Sequence, residues 1–401
     1  MSGDDVTAGQ AGGPEEPADL PPGQPEVEDF RQEVRAWLAE RLPAQPLPPL
    51  DSAEGDLAHR AWERALFDAG LAVVSWPREY GGRGLSVSHW LAFEDEYHAA
   101  GAPARIGQNG LFLLAPTVFT HGTPEQCDRV LPRMARADDV WAQAWSEPDA
   151  GSDLAAIRSR ARRTDGGWLV RGQKTWSSRA AFADRAFGLF RTDPDAERHR
   201  GLTYLLIDLR AAGVTVRPIA QLSGLPGFAE IFFDDVFVPD GDVLGPVDEG
   251  WSVAMSTAGH ERGLSLRSPG RFTAAADRLV ALWRDSPEPE RTVLRDRVAD
   301  AWIGARAYRM HTLAGIAAGP APTGPAASLT KVFWSELDLA MHETAMELLG
   351  PGAEARGPWS EGYLFALAGP IYAGTNEIQR TVIAERLLGL PREPRHPGGP
   401  R

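Results

Sequence analysis

Helical spacing is the first regular pattern along the chain. Val27, Phe30, Val34, Trp37, Leu38 and Leu42 recur three and four positions apart, placing them on one stripe of a helix. Pro43, Pro46, Pro48 and Pro49 follow and stop it, because proline removes backbone donors. The same spacing predicts helices over 56–69 and 86–100, with Gly81-Gly82 turning between them, and again over 112–120 and 124–137. Residues 1–25 are rich in Gly, Pro, Glu and Asp and hold few large apolar side chains. They cannot recover the entropy of ordering and are expected to be a disordered tail.

The pattern then shortens. Residues 157–163, 168–171, 185–190, 202–208, 214–218 and 230–237 are β-branched or alternating runs separated by Gly, Asp and Pro, which predicts strands. Arg158, Arg160 and Arg162 alternate with Ile157, Ser159 and Ala161, so the arginines share one strand face, expected to be solvated. From Gly250 helical spacing returns and continues through 271–284, 290–318, 327–349 and 376–388, before a tail rich in Pro, Arg and Gly. No repeat of fixed period occurs. The fold class expected is α+β, arranged as a tail (1–25), an N-terminal α-helical domain (26–140), a middle β domain (141–248), a C-terminal α-helical bundle (249–390) and a second tail (391–401).

Composition narrows the class. The 401 residues are 43% hydrophobic and 24% charged, ordinary globular usage, and exceed what one small core needs. No apolar run approaches the ~18 residues of a membrane span. The net charge of −14 opposes binding that relies on neutralising many phosphates, so nucleic acid is not an expected partner. An anionic small ligand remains compatible where arginines or helix N-termini meet it. Cys127 is the single cysteine, which excludes an intramolecular disulfide and a cysteine zinc site. With no basic and apolar segment at the start, a cytoplasmic location is expected, with no membrane contact.

Three familiar motifs are absent. In Gly167–Thr175 a residue intervenes between Gly172 and Lys174, so the stretch reads as a strand hairpin rather than a phosphate loop. His260-Glu261 and His342-Glu343 lack the second histidine four residues on, where Leu264 and Met346 stand, so no metal site is expected. No strand is followed by Gly-x-Gly-x-x-Gly.

The chemistry-bearing stretch runs from Trp141-Ala-Gln143-Ala-Trp145-Ser146-Glu147-Pro-Asp-Ala-Gly151-Ser152-Asp153 to Gly172-Gln-Lys-Thr-Trp176-Ser-Ser178. The first part reads as a loop in which Gly151 and Ser152 offer backbone N–H groups and a hydroxyl. The second supplies an indole and a hydroxyl two residues apart, which share a side if they lie on a strand. One flat ring system would suit both, although spacing alone favours an ordinary loop and a hairpin with core tryptophans.

These segments resemble the flavin-binding β-domain motifs of the acyl-CoA dehydrogenase family. Further likenesses follow in that family's order: Trp76-Pro-Arg-Glu-Tyr-Gly-Gly82, Gly224 and Gly227 before Glu230–Val236, Val238-Pro239, Leu244-Gly245, Glu261-Arg262 and Gly374-Thr-Asn-Glu-Ile-Gln-Arg380. The resemblance covers about residues 26–391. It implies that family's fold: an N-terminal helical domain, a middle β-barrel or sandwich and a C-terminal helical bundle. It also implies FAD as cofactor, with Gln143, Trp145, Ser146, Gly151, Ser152, Trp176, Ser178, Thr375 and Glu377 as binding residues. Ser152 and Arg262 would meet the substrate.

The reaction implied is α,β-dehydrogenation of an acyl thioester, carried by coenzyme A or an acyl carrier protein. An electron-transfer flavoprotein or another acceptor would take the electrons. A homodimer or homotetramer is implied, with a pair of unlike subunits as an alternative. Many relatives carry the base just before the Gly-Thr pair, where Ala373 stands here. Other relatives carry it at the position of Glu261, which becomes the expected base. On a helix, Ala254, Thr257, Ala258 and Ser265 would share its face and leave room for a ligand.

Two departures stand out. The family's Arg-x-Phe-Gly segment has no clear counterpart, Arg271-Phe272-Thr273 being the nearest string, and Glu347 replaces a usual Gln. The sequence resembles the actinobacterial branch of the family. A flavin monooxygenase or tailoring oxidase, and a non-catalytic partner subunit, are the competing readings.

Overall fold

A computed structural model of the chain describes residues 25–261, 267–286, 292–317 and 325–392. The N-terminal helices are α1 (Pro25–Arg41), α2 (Ala53–Asp68), α3 (Val87–Ala99), α4 (Ala115–His121) and α5 (Pro124–Ala135). A π-helical segment, Asn109–Leu114, leads into α4. Helix α2 begins where the Ser52 hydroxyl accepts the Gly55 N–H at 3.0 Å, and α5 begins at a capping box between Thr123 and Gln126. The stripe of α1 is buried at Phe30, Val34 and Leu38, where it packs on α3.

The middle strands are β1 (Trp141–Ala144), β2 (Arg160–Thr164), β3 (Gly167–Ser178), β4 (Arg185–Arg191), β5 (Leu202–Asp208), β6 (Val214–Ile219), β7 (Phe228–Pro239) and β8 (Val243–Leu244). They form one connected sheet in the order β6-β7-β3-β2-β4-β5-β8, with β1 added parallel to β4. Strand alternation divides β4 and β5 between two cores. Phe187, Leu189, Tyr204 and Leu206 face the helical core, whereas Ala186, Phe190, Leu205 and Ile207 join the core of the sheet's other face. Arg158, Arg160 and Arg162 are all exposed, as their alternation predicts. Residues 141–144, which read from sequence as part of a loop, are a strand. Trp-Ala-Gln-Ala has no β-branched residue to signal one, and its pairing with β4 supplies what local propensity does not.

The C-terminal helices are α6 (Gly250–Glu261), α7 (Pro269–Arg284), α8 (Thr292–Ala317), α9 (Pro325–Leu349), α10 (Pro358–Ala366) and α11 (Asn376–Val382). Phe272, Leu279, Val298, Tyr308, Trp334 and Met341 form their shared core. Sequence periodicity does not reveal α10, whose only buried residue is Ala366. Charged contacts tie the parts together. Arg60 on α2 donates to the Ala137 and Phe182 carbonyls and to Asp184 at 2.8 Å, while Arg309 on α8 meets Asp95 on α3 at 2.6 Å. Among the described residues, no helix is long and apolar enough to cross a membrane.

Candidate active site

The stretch 143–178 is assembled around a buried ion pair. Lys174, fully enclosed on β3, donates to a Glu147 carboxylate oxygen at 2.8 Å and to the Trp145 carbonyl at 3.1 Å. Glu147 also accepts the backbone N–H groups of Arg158 at 2.6 Å and Ser159 at 2.9 Å. Burial pushes the Glu147 carboxyl up, but the Lys174 charge and these hydrogen bonds outweigh it and hold the group below the usual carboxylate range. Burial likewise opposes charge on Lys174 and pushes the ammonium down, with Glu147 pulling against it. The Thr175 N–H donates to the Ser146 carbonyl at 2.9 Å, so the loop after β1 and the end of β3 are locked side by side. Neither Glu147 nor Lys174 stands out in the sequence. An acid and a lysine 27 positions apart signal nothing until the sheet folds them together.

Trp176 stands on this frame. Its register is broken by a bulge between Lys174 and Ser177, and its φ is +58°, a left-handed conformation that a bulky side chain rarely adopts. Its indole is 61% exposed, whereas Ser177 is fully buried and Ser178 half-buried. The expected strand parity of Trp176 and Ser178 is therefore modified, since the bulge turns the indole outward. The nearest ring, Phe228, meets it edge-on at 6.0 Å, leaving the indole without a stacked neighbour among the described residues.

Around it lie polar groups with no side-chain partner. The half-buried Gln143 amide and the hydroxyls of Ser146 and Ser178, also half-buried, make no hydrogen bond among the described residues. Trp145 is 9% exposed and backs the wall. Gly151 and Ser152 are exposed, and a Cβ placed on Gly151 would meet nothing within 4 Å. A flat, hydrogen-bonding ring such as an isoalloxazine fits this set: an open indole face, unsatisfied amide and hydroxyl groups, and a bare glycine approach.

The other expected site residues belong to the C-terminal helices. Thr375 caps α11, its hydroxyl accepting the Ile378 N–H at 3.3 Å, and Glu377 is exposed. No hydrogen bond or ion pair joins either one to the 143–178 wall among the described residues. Ala373 occupies a tight turn at φ +58°, its carbonyl accepting from the Gln379 amide at 3.3 Å. Glu261 is the last residue of α6. Its side chain, together with Arg262 and Ser265, lies outside the described residues.

The small residues expected to share the Glu261 face do not leave open space. Ala254, Thr257 and Ala258 are buried, and the Thr257 hydroxyl is bonded to Thr117 at 2.8 Å and to Tyr204 at 3.1 Å. They pack α6 against the π-helical segment and α4. The open space lies one residue over. A cavity of about 430 Å³ is lined by Trp76, Trp90, Leu111, Phe112, Phe119 and His260. Among the described residues, no group of three or more His, Cys, Asp or Glu is placed to hold a metal.

Three domain patterns of the acyl-CoA dehydrogenase family match in order: the N-terminal domain over 24–138, the middle domain over 142–236 and the C-terminal domain over 248–388. The chain belongs to that family, and is accordingly a FAD-dependent oxidoreductase acting on CH–CH groups. It is 41% identical over 381 residues to acyl-CoA dehydrogenase IpdE1 of Mycobacterium tuberculosis, covering 92% of this chain and 99% of that protein. Among solved structures, the Tcur3481-Tcur3483 steroid ACAD superposes with a TM-score of 0.80 at 27% identity, covering 92% and 99% of the two chains. The ChsE4-ChsE5 complex from Mycobacterium tuberculosis gives 0.80 at 29% identity, covering 93% and 99%.

Proposed function

We propose that the protein removes one hydrogen from each of the α and β carbons of an acyl-CoA, producing the enoyl-CoA, with its flavin held on the wall from Gln143 to Ser178. The observation that carries this reading is the exposed Trp176 indole, displayed on a bulge, together with Gln143, Ser146 and Ser178, whose side chains have no hydrogen-bond partner among the described residues. FAD supplies a two-electron acceptor for the β-hydride. Trp176 and Trp145 limit where its ring can lie, and the Ser178 hydroxyl donates to the ring edge. Gly151 and Ser152 leave a passage between ring and thioester, and Ser152 together with Arg262 meets the substrate. Glu261, at the end of α6, would take the α-proton; the substrate then loses one proton and one hydride and its charge is unchanged. Thr375 and Glu377 approach a flavin from the C-terminal domain.

The name of the Tcur3481-Tcur3483 steroid ACAD supports a bulky polycyclic acyl group, and the paired names of both solved relatives support an assembly of unlike subunits. An electron-transfer flavoprotein would reoxidise the enzyme. The test is anaerobic bleaching of the flavin absorbance by acyl-CoA thioesters, in the wild type and in Glu261→Gln. The wild type should bleach, and the variant should retain its flavin but bleach at least about a hundredfold more slowly, the lower bound for a lost general base. Native-rate bleaching by the variant would show that Glu261 is not the base. Oxygen consumption with an oxygenated product would favour a monooxygenase instead.

A further inference from the structure

Resting on that reading, we propose that Arg179 is a positioning residue for the flavin. It fixes the Ser178 hydroxyl at the end of the wall, and its charge, set against that of Asp51 just before α2, favours the reduced ring. Arg179 directly follows the last residue of β3, and its φ of +53° is a left-handed conformation that a residue with a side chain seldom adopts. Such a conformation persists only where the surroundings over-determine it. Here the Arg179 N–H donates to the Gly227 carbonyl at 2.9 Å, and the Arg179 carbonyl accepts the Phe182 N–H at 2.9 Å. From α2, Arg60 holds the same turn through the Phe182 carbonyl at 2.9 Å and Asp184 at 2.8 Å. The backbone step out of Ser178 is therefore set by the N-terminal helices as well as by the sheet.

The side chain goes beyond what anchoring a turn requires. It is 7% exposed, and its one hydrogen bond among the described residues runs from Nη2 to the Ile106 carbonyl at 3.1 Å. A guanidinium carries five donors, so an apolar side chain of similar length would fill this place with less desolvation. It stays charged: burial pushes it down, Asp51 leads the carboxylates that pull it up, and an arginine remains protonated at neutral pH. Of those carboxylates, Glu63 is taken by Arg105 at 2.7 Å and Asp56 by Arg60 at 3.0 Å. Asp51 is left as the counter-charge. One Asp51 oxygen is buried with no hydrogen bond, and a Cβ on Gly227 would meet the other at 3.0 Å, beside the backbone that holds Arg179. A hydride taken from a β carbon adds one unit of negative charge to the ring. A fixed cation one residue from the ring's hydroxyl partner favours that reduced form, and a carboxylate there opposes it.

Reduction potentials of the FAD-loaded protein, titrated with dithionite against a reference dye at pH 8 without substrate, test this. Arg179→Met removes the charge and should raise the oxidised-to-reduced ratio at a given potential roughly tenfold, a fall of about 30 mV for two electrons. Asp51→Asn removes the opposing charge and should move the ratio the other way, by about threefold or more. Arg179→Lys keeps a charge and should restore most of the wild-type potential. Simple damage to the fold would shift Arg179→Met and Asp51→Asn alike, so opposite signs separate the two explanations. The loss of FAD affinity in Arg179→Met should also shrink once Ser178 is already alanine, and strict additivity would overturn the link to that hydroxyl. An unchanged potential in Arg179→Met, shifts of one sign in Arg179→Met and Asp51→Asn, or an Arg179→Lys potential no closer to wild type than that of Arg179→Met would each overturn the proposal. Should an Arg179 variant fail to fold, the sign of the Asp51→Asn shift still decides. If no thioester bleaches the flavin while the opposite shifts appear, the dehydrogenation reading fails and the Arg179 proposal stands. Bleaching by thioesters with Arg179→Met at the wild-type potential would leave dehydrogenation standing and overturn the proposal.

Discussion

Replacing Lys174 with methionine tests how the flavin wall is held. The side chain is wholly buried and its Nζ serves both Glu147 at 2.8 Å and the Trp145 carbonyl at 3.1 Å. Methionine fills similar volume, so little of the effect comes from a cavity. The loss comes from Glu147, which would remain charged and buried with the Arg158 and Ser159 N–H groups as its only donors. Removing one partner of a buried pair costs about 3–5 kcal/mol, and two retained backbone donors place this case near 3. The melting temperature should fall by roughly 5 °C or more. Because the same lysine holds the Trp145 carbonyl, FAD affinity should weaken at least about tenfold, equivalent to 1.4 kcal/mol of displaced contact.

The double variant Lys174→Met/Glu147→Gln should recover part of the lost stability, since no uncompensated charge remains. Melting curves of the apoprotein and FAD titrations of the two singles and the double measure both quantities. Strict additivity in stability would refute the coupling of the pair. An FAD affinity in Lys174→Met equal to wild type would refute its role in placing the flavin wall, even with the stability loss intact.

Trp176→Gly should leave the apoprotein as stable as the wild type or slightly more so, because glycine accepts φ +58° without strain and the indole is mostly exposed. FAD titration of the same variant should nevertheless show much weaker binding, and retained affinity would exclude the indole from the flavin contact. Glu261→Gln should lower the reduction rate with FAD content unchanged, measured by stopped-flow bleaching. Acid should destabilise the protein through half-buried His260 and buried His342, both shifted below the ordinary histidine value by burial. The unfolded imidazoles bind protons more readily than the folded ones, so stability falls as pH drops below about 6.5 and this contribution is flat above it. Melting temperatures between pH 5 and 8 should therefore fall less steeply in His260→Gln than in the wild type.

Local pattern determined a good deal. The succession of helices, strands and helices follows from hydrophobic spacing of three to four in 27–42 and from short apolar runs bounded by polar residues in 185–190 and 202–207, because burial of a stripe or a strand needs only neighbours in sequence to announce itself. The glycine and tryptophan motifs of 141–178 were legible for a similar reason, being contiguous. Tertiary structure decided the rest. Strand β1 is a strand because β4 lies beside it; Lys174 is an anchor because the sheet brings Glu147 within 2.8 Å. Thr257, readable as one of the small residues sparing room beside Glu261, is closed off by Thr117 and Tyr204, which come from elements 140 and 53 residues away. The open space instead falls at His260, where α6 meets aromatic side chains from the N-terminal helices. Periodicity in a single chain records which side of an element is buried, but a cavity is defined by what several elements fail to fill, and only their packing determines that.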